Sequence, residues 1–272
     1  MNAATTTQSE KARRFQALHE RAGVFVIPNP WDIGSARILE TLGYEALATT
    51  SAGYAFSTGR LDGAVGLDEM LEHCRVLCAC TKLPVSADLE NGYSDDPKTA
   101  AQALVRGAEA GLVGGSIEDF SGKVTYDFTL AVERVQAAAE AVKKLPFKFM
   151  FSARADGLLH GTTDHDEIIR RLQAFEKAGA DVVYAPGVKT LEELKRMTSA
   201  LKKPFNANMS SLQGATVSQI GEAGAKRIST GGGLARAAIG ALVRAGREMQ
   251  GPGTFTWAKD ATSGAEVGKL LD

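Results

Sequence analysis

Asp88 and Glu90 stand two residues apart near the end of the run LPVSADLENGY, from Leu83 to Tyr93. Leu83, Val85 and Ala87 alternate with smaller or polar residues as in a short buried strand, which then breaks into Asp88, Glu90, Asn91 and Gly92. Side chains two apart on an extended backbone point the same way, so both carboxylates would line one rim at the strand's carboxyl end. A few such oxygens, with positions left for water and substrate, suit a hard divalent cation such as Mg2+. The competing reading is a strand-to-helix loop with solvated acids, because Asp96-Pro97 starts a helix just beyond. Taken alone, the pair leaves the two readings balanced.

The elements that must position these acids follow one grammar from Val24 onward: a β-rich run, a polar loop, then a helical pattern ending in Gly or Pro. Strands are expected at VFVIPN from Val24, YEALATT from Tyr44, LPVSAD from Leu83, VGGSIED from Val113, KFMFSAR from Lys148, DVVYAP from Asp181, PFNANM from Pro204 and KRIST from Lys226. Helical patterns lie between them, from IGSARILETLG to LARAAIGALVRAGREMQ. Eight alternating units point to a parallel (β/α)8 TIM barrel rather than an open doubly wound sheet, whose Gly-rich first turn is absent after Val24. The expected organisation is an N-terminal helix or extension over 1–20, a barrel over 21–250, and a C-terminal tail over 251–272, either a short packing helix or an arm exchanged between subunits.

In such a barrel, chemistry collects at the carboxyl ends of the strands. Those ends carry Asn29, Trp31 and Asp32; Ser51, Ala52 and Gly53, with Asp62 further along; Asp88 and Glu90; Glu118 and Asp119; Arg154 and Asp156; Tyr184; Asn206 and Asn208; and Ser229 and Thr230. Acids, one arginine and amides gathered at one rim shift the balance towards a metal site.

Composition removes several classes. A hydrophobic content of 44%, a charged content of 23% and a formal net charge of -1 describe an ordinary globular protein. Nothing in them favours nucleic acid, which would want a basic stripe. No run of about eighteen apolar residues or signal-like N-terminus is present, so no membrane and a cytoplasmic location are expected. Cys74, Cys78 and Cys80 share one amphipathic segment with His73, and read as reduced core thiols rather than metal ligands.

The stretches NPWDIGSAR, TTSAGYA, ADLENGY, SIEDF, SARAD and RISTGGGLARAA together resemble the isocitrate lyase and phosphoenolpyruvate mutase superfamily, from about Phe15 to about Met249. The resemblance implies a barrel of the phosphoenolpyruvate-binding type, with Mg2+ or Mn2+ held among carboxylates and a small-molecule 2-oxo acid or its enolate as substrate. It also implies a homo-oligomer, dimer or tetramer, with exchanged C-terminal helices. Matched by position, Asp88 would ligate the metal directly, and Asp62, Glu90 and Glu118 would hold its waters. Glu90 departs from the Asp usual there. Ser51, Ala52 and Gly53 match the loop that binds the substrate carboxylate and the developing enolate oxygen, and Arg154 matches the arginine that clamps the substrate's acidic group.

The resemblance fails where the lyases carry a Cys-containing motif after the fourth strand. That region here reads EDFSGKVTYDF, without Cys or His, which argues against isocitrate and methylisocitrate lyase activity. Lys123 reads as a surface residue, and His160 and His165 as surface or helix-start residues. Tyr184 either donates a hydrogen bond to substrate or shapes the pocket. Asn206 and Asn208 face one way, Asn208 being the better polar contact; Trp31 would wall the pocket and Asp32 cap a helix. The resulting expectation is a metal-dependent lyase acting on a small 2-oxo dicarboxylic acid, most simply oxaloacetate, with Ser51, Arg154, Tyr184 and Asn208 as catalytic residues. The alternatives are phosphonopyruvate chemistry and a non-catalytic 2-oxo-acid binding protein.

Overall fold

The computed structural model describes residues 6–272. Residues 1–5 of the expected N-terminal extension lie outside the described residues; Thr7 caps α1 (Gln8–Glu20) through a reciprocal bond with Glu10. The first half of the chain then runs β1 (Phe25–Ile27), α2 (Ile33–Thr41), β2 (Leu47–Ala48), α3 (Ser51–Ser57), α4 (Leu67–Cys80), β3 (Val85–Asp88), α5 (Pro97–Glu109) and β4 (Gly114–Glu118). The second half runs α6 (Phe128–Val142), β5 (Met150–Arg154), a 3-10 turn (Gly157–His160), α7 (His165–Ala178), β6 (Val182–Tyr184), α8 (Leu191–Ser199), β7 (Phe205–Asn208), α9 (Val217–Glu222) and β8 (Arg227–Ser229). α10 (Gly233–Gln250), a second 3-10 turn (Thr256–Asp260) and α11 (Gly264–Leu271) complete it.

All pairings within the sheet are parallel, in the order β1-β8-β7-β6-β5-β4-β3-β2. At the remaining seam Ala48 N donates to Pro28 O at 3.0 Å, so the sheet is a nearly closed (β/α)8 barrel. All eight expected strands form. The helices start where side chains satisfy orphan amides: Asp32, Asp96, Asp127, Asp164, Thr190 and Thr216 each accept from a first-turn amide. Asp96-Pro97 starts α5, with Asp96 Oδ1 2.8 Å from Thr99 N and Pro97 in the first turn.

One end of the barrel is plugged. Phe15, Ala12 and Leu18 of α1 are buried against Phe25, Ile27, Val113, Met150 and Val182. Gly114 makes room: a Cβ there would sit 2.7 Å from Phe15 Cε1 and 2.9 Å from Met150 O. Below that plug, His19 Nδ1 lies 2.8 Å from the Phe15 carbonyl, which can only accept, so Nδ1 carries the proton. His19 Nε2 is therefore an acceptor, and Arg227 Nη1 lies 3.5 Å from it. Arg227 Nε donates to Asn206 Oδ1 at 2.7 Å. Asn206 is thus a buried floor contact, one layer below Asn208.

Two elements depart from expectation. TTSAGYA is not a loop: Thr50 Oγ1 accepts from Gly53 N at 3.2 Å and opens α3 at Ser51. α10, read as an ordinary barrel helix, buries only Ala235 of its 18 residues and leaves Ile239, Leu242, Val243 and Met249 exposed. The tail folds back within the chain, α11 lying on α2 with the Arg37 side chain bonded to the Leu271 carbonyl, while Trp257 stays 37% exposed. Cys74 and Cys78 are buried and free, as read, whereas Cys80 is free but only half-buried, outside the core. Burial pushes the Cys78 thiol up to about 12 and raises that of Cys74 further. Among the described residues no helix is long and apolar enough to cross a membrane.

Candidate active site

Arg154, the last residue of β5, is the centre of the open rim. Its Nη1 lies 2.8 Å from Asp88 Oδ1, and its Nη2 lies 3.0 Å from Glu118 Oε2 and 2.7 Å from Asp156 Oδ2. Nε adds a bond to Asp156 Oδ1 at 3.2 Å, so Asp156 grips the guanidinium with both oxygens. Parallel register explains the meeting: Asp88 pairs with Ser116 two residues before Glu118, and Glu118 pairs with Arg154. Burial alone would lower the arginine's pKa, but Asp156, Glu118 and Asp88 hold it above the ordinary value.

The acids outnumber this one cation. Ser51 Oγ donates to Asp88 Oδ2 at 3.1 Å, and the pKa of Asp62 is raised by burial and then by Asp88. Burial, Asp88 and Asp62 push Glu90 up to about 7. Glu118 is raised as well, chiefly by burial, with Arg154 pulling against it. Asp88, Asp62, Glu90, Glu118, Ser51 and Arg154 therefore lie at one rim, but Glu90 arrives there by another route than strand alternation. β3 ends at Asp88, and Glu90 turns back with φ 47°, so a left-handed bend rather than strand alternation brings the two acids together.

Tyr184 is buried, its ring centroid 5.2 Å from the Arg154 guanidinium carbon, and its hydroxyl accepts from Asn208 Nδ2 at 2.9 Å. Burial raises its pKa, so the hydroxyl keeps its proton. Asn208 Oδ1 accepts from Ser210 N at 3.0 Å. Gly53 differs from expectation. Its amide is taken by Thr50, and its lack of a side chain serves packing, since a Cβ would sit 2.5 Å from Thr50 Cγ2 and 3.0 Å from Trp31 Cβ. The first-turn amides of Ser51 and Ala52 have no partner inside α3. Trp31 is partly buried against that turn, and Asp32 caps α2. Lys123 is exposed in the Ser121–Val124 turn, His160 stacks on Phe120 at 3.4 Å, and His165 opens α7.

Several residues went unassigned from sequence. Asp156 stood at the rim without a role, although its i, i+2 spacing from Arg154 in SARAD was the available signal. Asp119 Oδ1 holds the Asp156 amide at 2.8 Å, and its Oδ2 meets Arg171 Nη1 at 3.2 Å. Asn29 fastens the seam, accepting from Thr230 N and Gly231 N at 2.8 and 2.9 Å and donating to Thr49 O at 2.7 Å.

Among the described residues no three His, Cys, Asp or Glu side chains already surround a common ligating point. The donor set nonetheless fits a hard divalent cation: Asp62, Asp88, Glu90 and Glu118 offer carboxylate oxygens, and one guanidinium, already held by Asp156, does not balance them. A groove of about 670 Å³ lies elsewhere, between α1, α4 and the last residues of the chain. Its buried Lys11 is spent on the Cys78 and Thr81 carbonyls at the end of α4.

The sequence profile described as phosphoenolpyruvate phosphomutase matches residues 15–250. A solved structure of a candidate lyase/mutase from Burkholderia cenocepacia J2315 superposes with a TM-score of 0.94 at 48% identity, covering 97% of this chain and 96% of that one. An uncharacterized protein of Mycobacterium tuberculosis is 32% identical over 80% of this chain and 81% of its own length. The oxaloacetate decarboxylase of Pseudomonas putida is 28% identical over 70% of this chain and 68% of its own. The chain belongs to the phosphoenolpyruvate phosphomutase family, within the isocitrate lyase and phosphoenolpyruvate mutase superfamily.

Proposed function

We propose that this protein is a Mg2+- or Mn2+-dependent carbon-carbon lyase acting on a small 2-oxo dicarboxylic acid, most simply as an oxaloacetate decarboxylase. The observation that carries the reading is the surplus of carboxylates around Arg154 at the open rim, with Tyr184 and Asn208 beside it. The similarity to an oxaloacetate decarboxylase supports it.

Asp88 would hold the metal directly, and Asp62, Glu90 and Glu118 would hold its waters. A cation bound there supplies Lewis-acid stabilisation of negative charge on the substrate's 2-oxo oxygen. Asp156 keeps the Arg154 fork fixed from behind, so the Nη1 edge that Asp88 occupies is the one offered to a substrate carboxylate. Ser51 and the Ala52 amide are placed to bind the developing oxyanion. In decarboxylation the C3–C4 bond breaks, its electron pair passes into the enolate of pyruvate, CO2 leaves, and one proton returns to C3. Tyr184 is suited to give that proton, because its oxygen already accepts from Asn208 and its own hydrogen is available to donate. No strong base is needed before the bond breaks, which agrees with thiols that are buried and held protonated on α4.

The family description favours a second reading, P–C chemistry on phosphonopyruvate, because a guanidinium fork accepts a phosphonate as readily as a carboxylate. Turnover of oxaloacetate, substituted malates and phosphonopyruvate, followed by proton and phosphorus NMR with Mg2+ or Mn2+, separates the two. Pyruvate is expected from oxaloacetate above the metal-ion background, with kcat/KM reduced by at least about a thousandfold in Asp88→Ala. Preferential conversion of phosphonopyruvate installs the second reading. Metal-dependent oxalate binding without turnover of any substrate removes both and leaves a 2-oxo-acid binding protein.

A further inference from the structure

Arg134, on α6, is 1% exposed, and among the described residues no carboxylate oxygen bonds its guanidinium. Its bonds all go to backbone: Nη1 donates to Ser94 O at 2.6 Å and Asp95 O at 2.7 Å, and Nη2 donates to Asn91 O. The guanidinium lies 4.3 Å from the Tyr126 ring centroid. An arginine this buried, whose bonds all go to carbonyls and whose Nε has no partner, is spent on holding those carbonyls.

The loop it holds is the one that follows Asp88. Among the described residues, the two non-glycine residues with positive φ both lie in it, Glu90 at 47° and Tyr93 at 59°. Gly92, at φ 75°, has Ala100 backbone atoms 2.9 Å from where a Cβ would stand. A loop bent this way reverts to commoner angles unless its surroundings fix it. Asn91 ties the bend from within, its Oδ1 accepting from Tyr93 N at 2.9 Å and its Nδ2 donating to Tyr126 Oη at 2.9 Å. Glu90 N meets Asp88 Oδ1 at 3.3 Å, and Glu118 N donates to Glu90 O at 2.9 Å, so the position of the loop is the position of Glu90 relative to two other acids.

We propose that Arg134 is a positioning residue that clamps the Asn91–Asp95 backbone, with Tyr126 as its second anchor, and thereby sets how tightly the rim holds a divalent cation. The metal half of this inference rests on the function proposed above. The clamp half rests on the loop geometry alone. Arg134→Lys is the informative change, because a point charge cannot serve three carbonyls with the planar fork. Tyr126→Phe, which keeps the ring and removes only the hydroxyl, covers the case in which the lysine variant fails to fold.

The full chain is titrated with Mn2+ by electron paramagnetic resonance, and backbone hydrogen exchange is followed at Gly92 and Tyr93. Arg134→Lys is expected to weaken Mn2+ binding by about 10- to 100-fold, the range for groups supporting metal ligands from behind. Tyr126→Phe is expected to weaken it by about two- to tenfold. In both, exchange accelerates at Gly92 and Tyr93 but not at Asp119 and Asp156. Acceleration spread evenly over the chain, or none at the loop, overturns the clamp and leaves Arg134 as an anchor of α6. A wild-type protein without Mn2+ affinity overturns the metal half and the function it rests on, while the exchange pattern still decides the clamp. Local loosening with unchanged Mn2+ affinity overturns the link between loop and metal.

Discussion

Two arginines sit inside the same barrel in opposite company. At the rim Arg154 has Asp88, Glu118 and Asp156 against it and Asp62 and Glu90 close by. At the plugged floor Arg227 has only neutral acceptors, Asn206 Oδ1 and His19 Nε2. Burial pushes the Arg227 pKa down to about 10, whereas the acids at the rim raise that of Arg154 despite its burial. The difference separates two uses of a buried cation. The floor is closed and satisfied, with the tautomer of His19 fixed by the Phe15 carbonyl. The rim carries more negative charge than its own cation neutralises, which is the condition a site for a further cation would have.

The change that should break this contrast most strongly is Arg154→Met. It leaves Asp156 and Glu118 buried without their partner, an imbalance expected to cost about 3–5 kcal/mol at neutral pH, together with the clamp for a substrate carboxylate. Chemical denaturation of the metal-free variant measures the loss. Partial recovery on adding Mg2+ is expected, because the same oxygens would then share a different cation. A variant as stable as wild type in the absence of metal would mean that the rim acids are balanced without Arg154.

The floor should respond to acid. The pKa of His19 is depressed to about 3, by burial first and then by Arg227, and that of His73 to about 4, again by burial. Both lie below the ordinary histidine value of about 6.5, so the unfolded chain binds more protons between the two limits. Stability is therefore full above about pH 6.5 and is lost as pH falls towards the folded values, at up to about 1.4 kcal/mol per pH unit for each histidine. The raised acids at the rim act with the opposite sign, losing stability as pH rises through their folded values. His19→Gln isolates the floor. Unfolding free energies between pH 4 and 7 should fall less steeply with acid in that variant, and an unchanged slope would mean that His19 is not held neutral.

The barrel was legible because short β-rich runs alternate with helical patterns along the chain, and six of the eight strands, β3 to β8, stop at a polar residue. The rim residues were legible for the same reason: Asp88, Glu118, Arg154, Tyr184 and Asn208 are the stopping points. Residues that act through backbone shape were not. Glu90 was placed by strand alternation, but a left-handed bend puts it there, and no pattern of residue types announces that bend except Asn91-Gly92 beside it. Arg134 sits within AVERVQAAAEAV, where an arginine between apolar positions reads as solvent-facing. Its partners are three carbonyls about forty residues away, and carbonyls carry no residue type. α10 was unreadable for a different reason. Its pattern is amphipathic, but amphipathy does not say which surface the apolar face meets, and here it leaves the barrel.

The smallest expected effect tests the floor directly. Arg227→Met keeps much of the side-chain length, removes the buried charge, and leaves Asn206 Oδ1 and His19 Nε2 without their donor. Each orphaned acceptor costs about 1–3 kcal/mol, while relief of the arginine's own burial offsets part of this, so a net loss of about 1–2 kcal/mol is expected. His19 should titrate at higher pH in the variant, because the second cause of its depression is gone. Metal dependence and kcat/KM should stay within about twofold of wild type if the two ends of the barrel are independent, as sites without shared partners usually are. They do have one point of approach: Tyr184, beside Arg154, pairs in register with Asn206, which accepts from Arg227 Nε. A large fall in kcat with unchanged stability would therefore make the floor arginine part of the field that acts on the Tyr184 proton, and the separation of the two arginines would no longer hold.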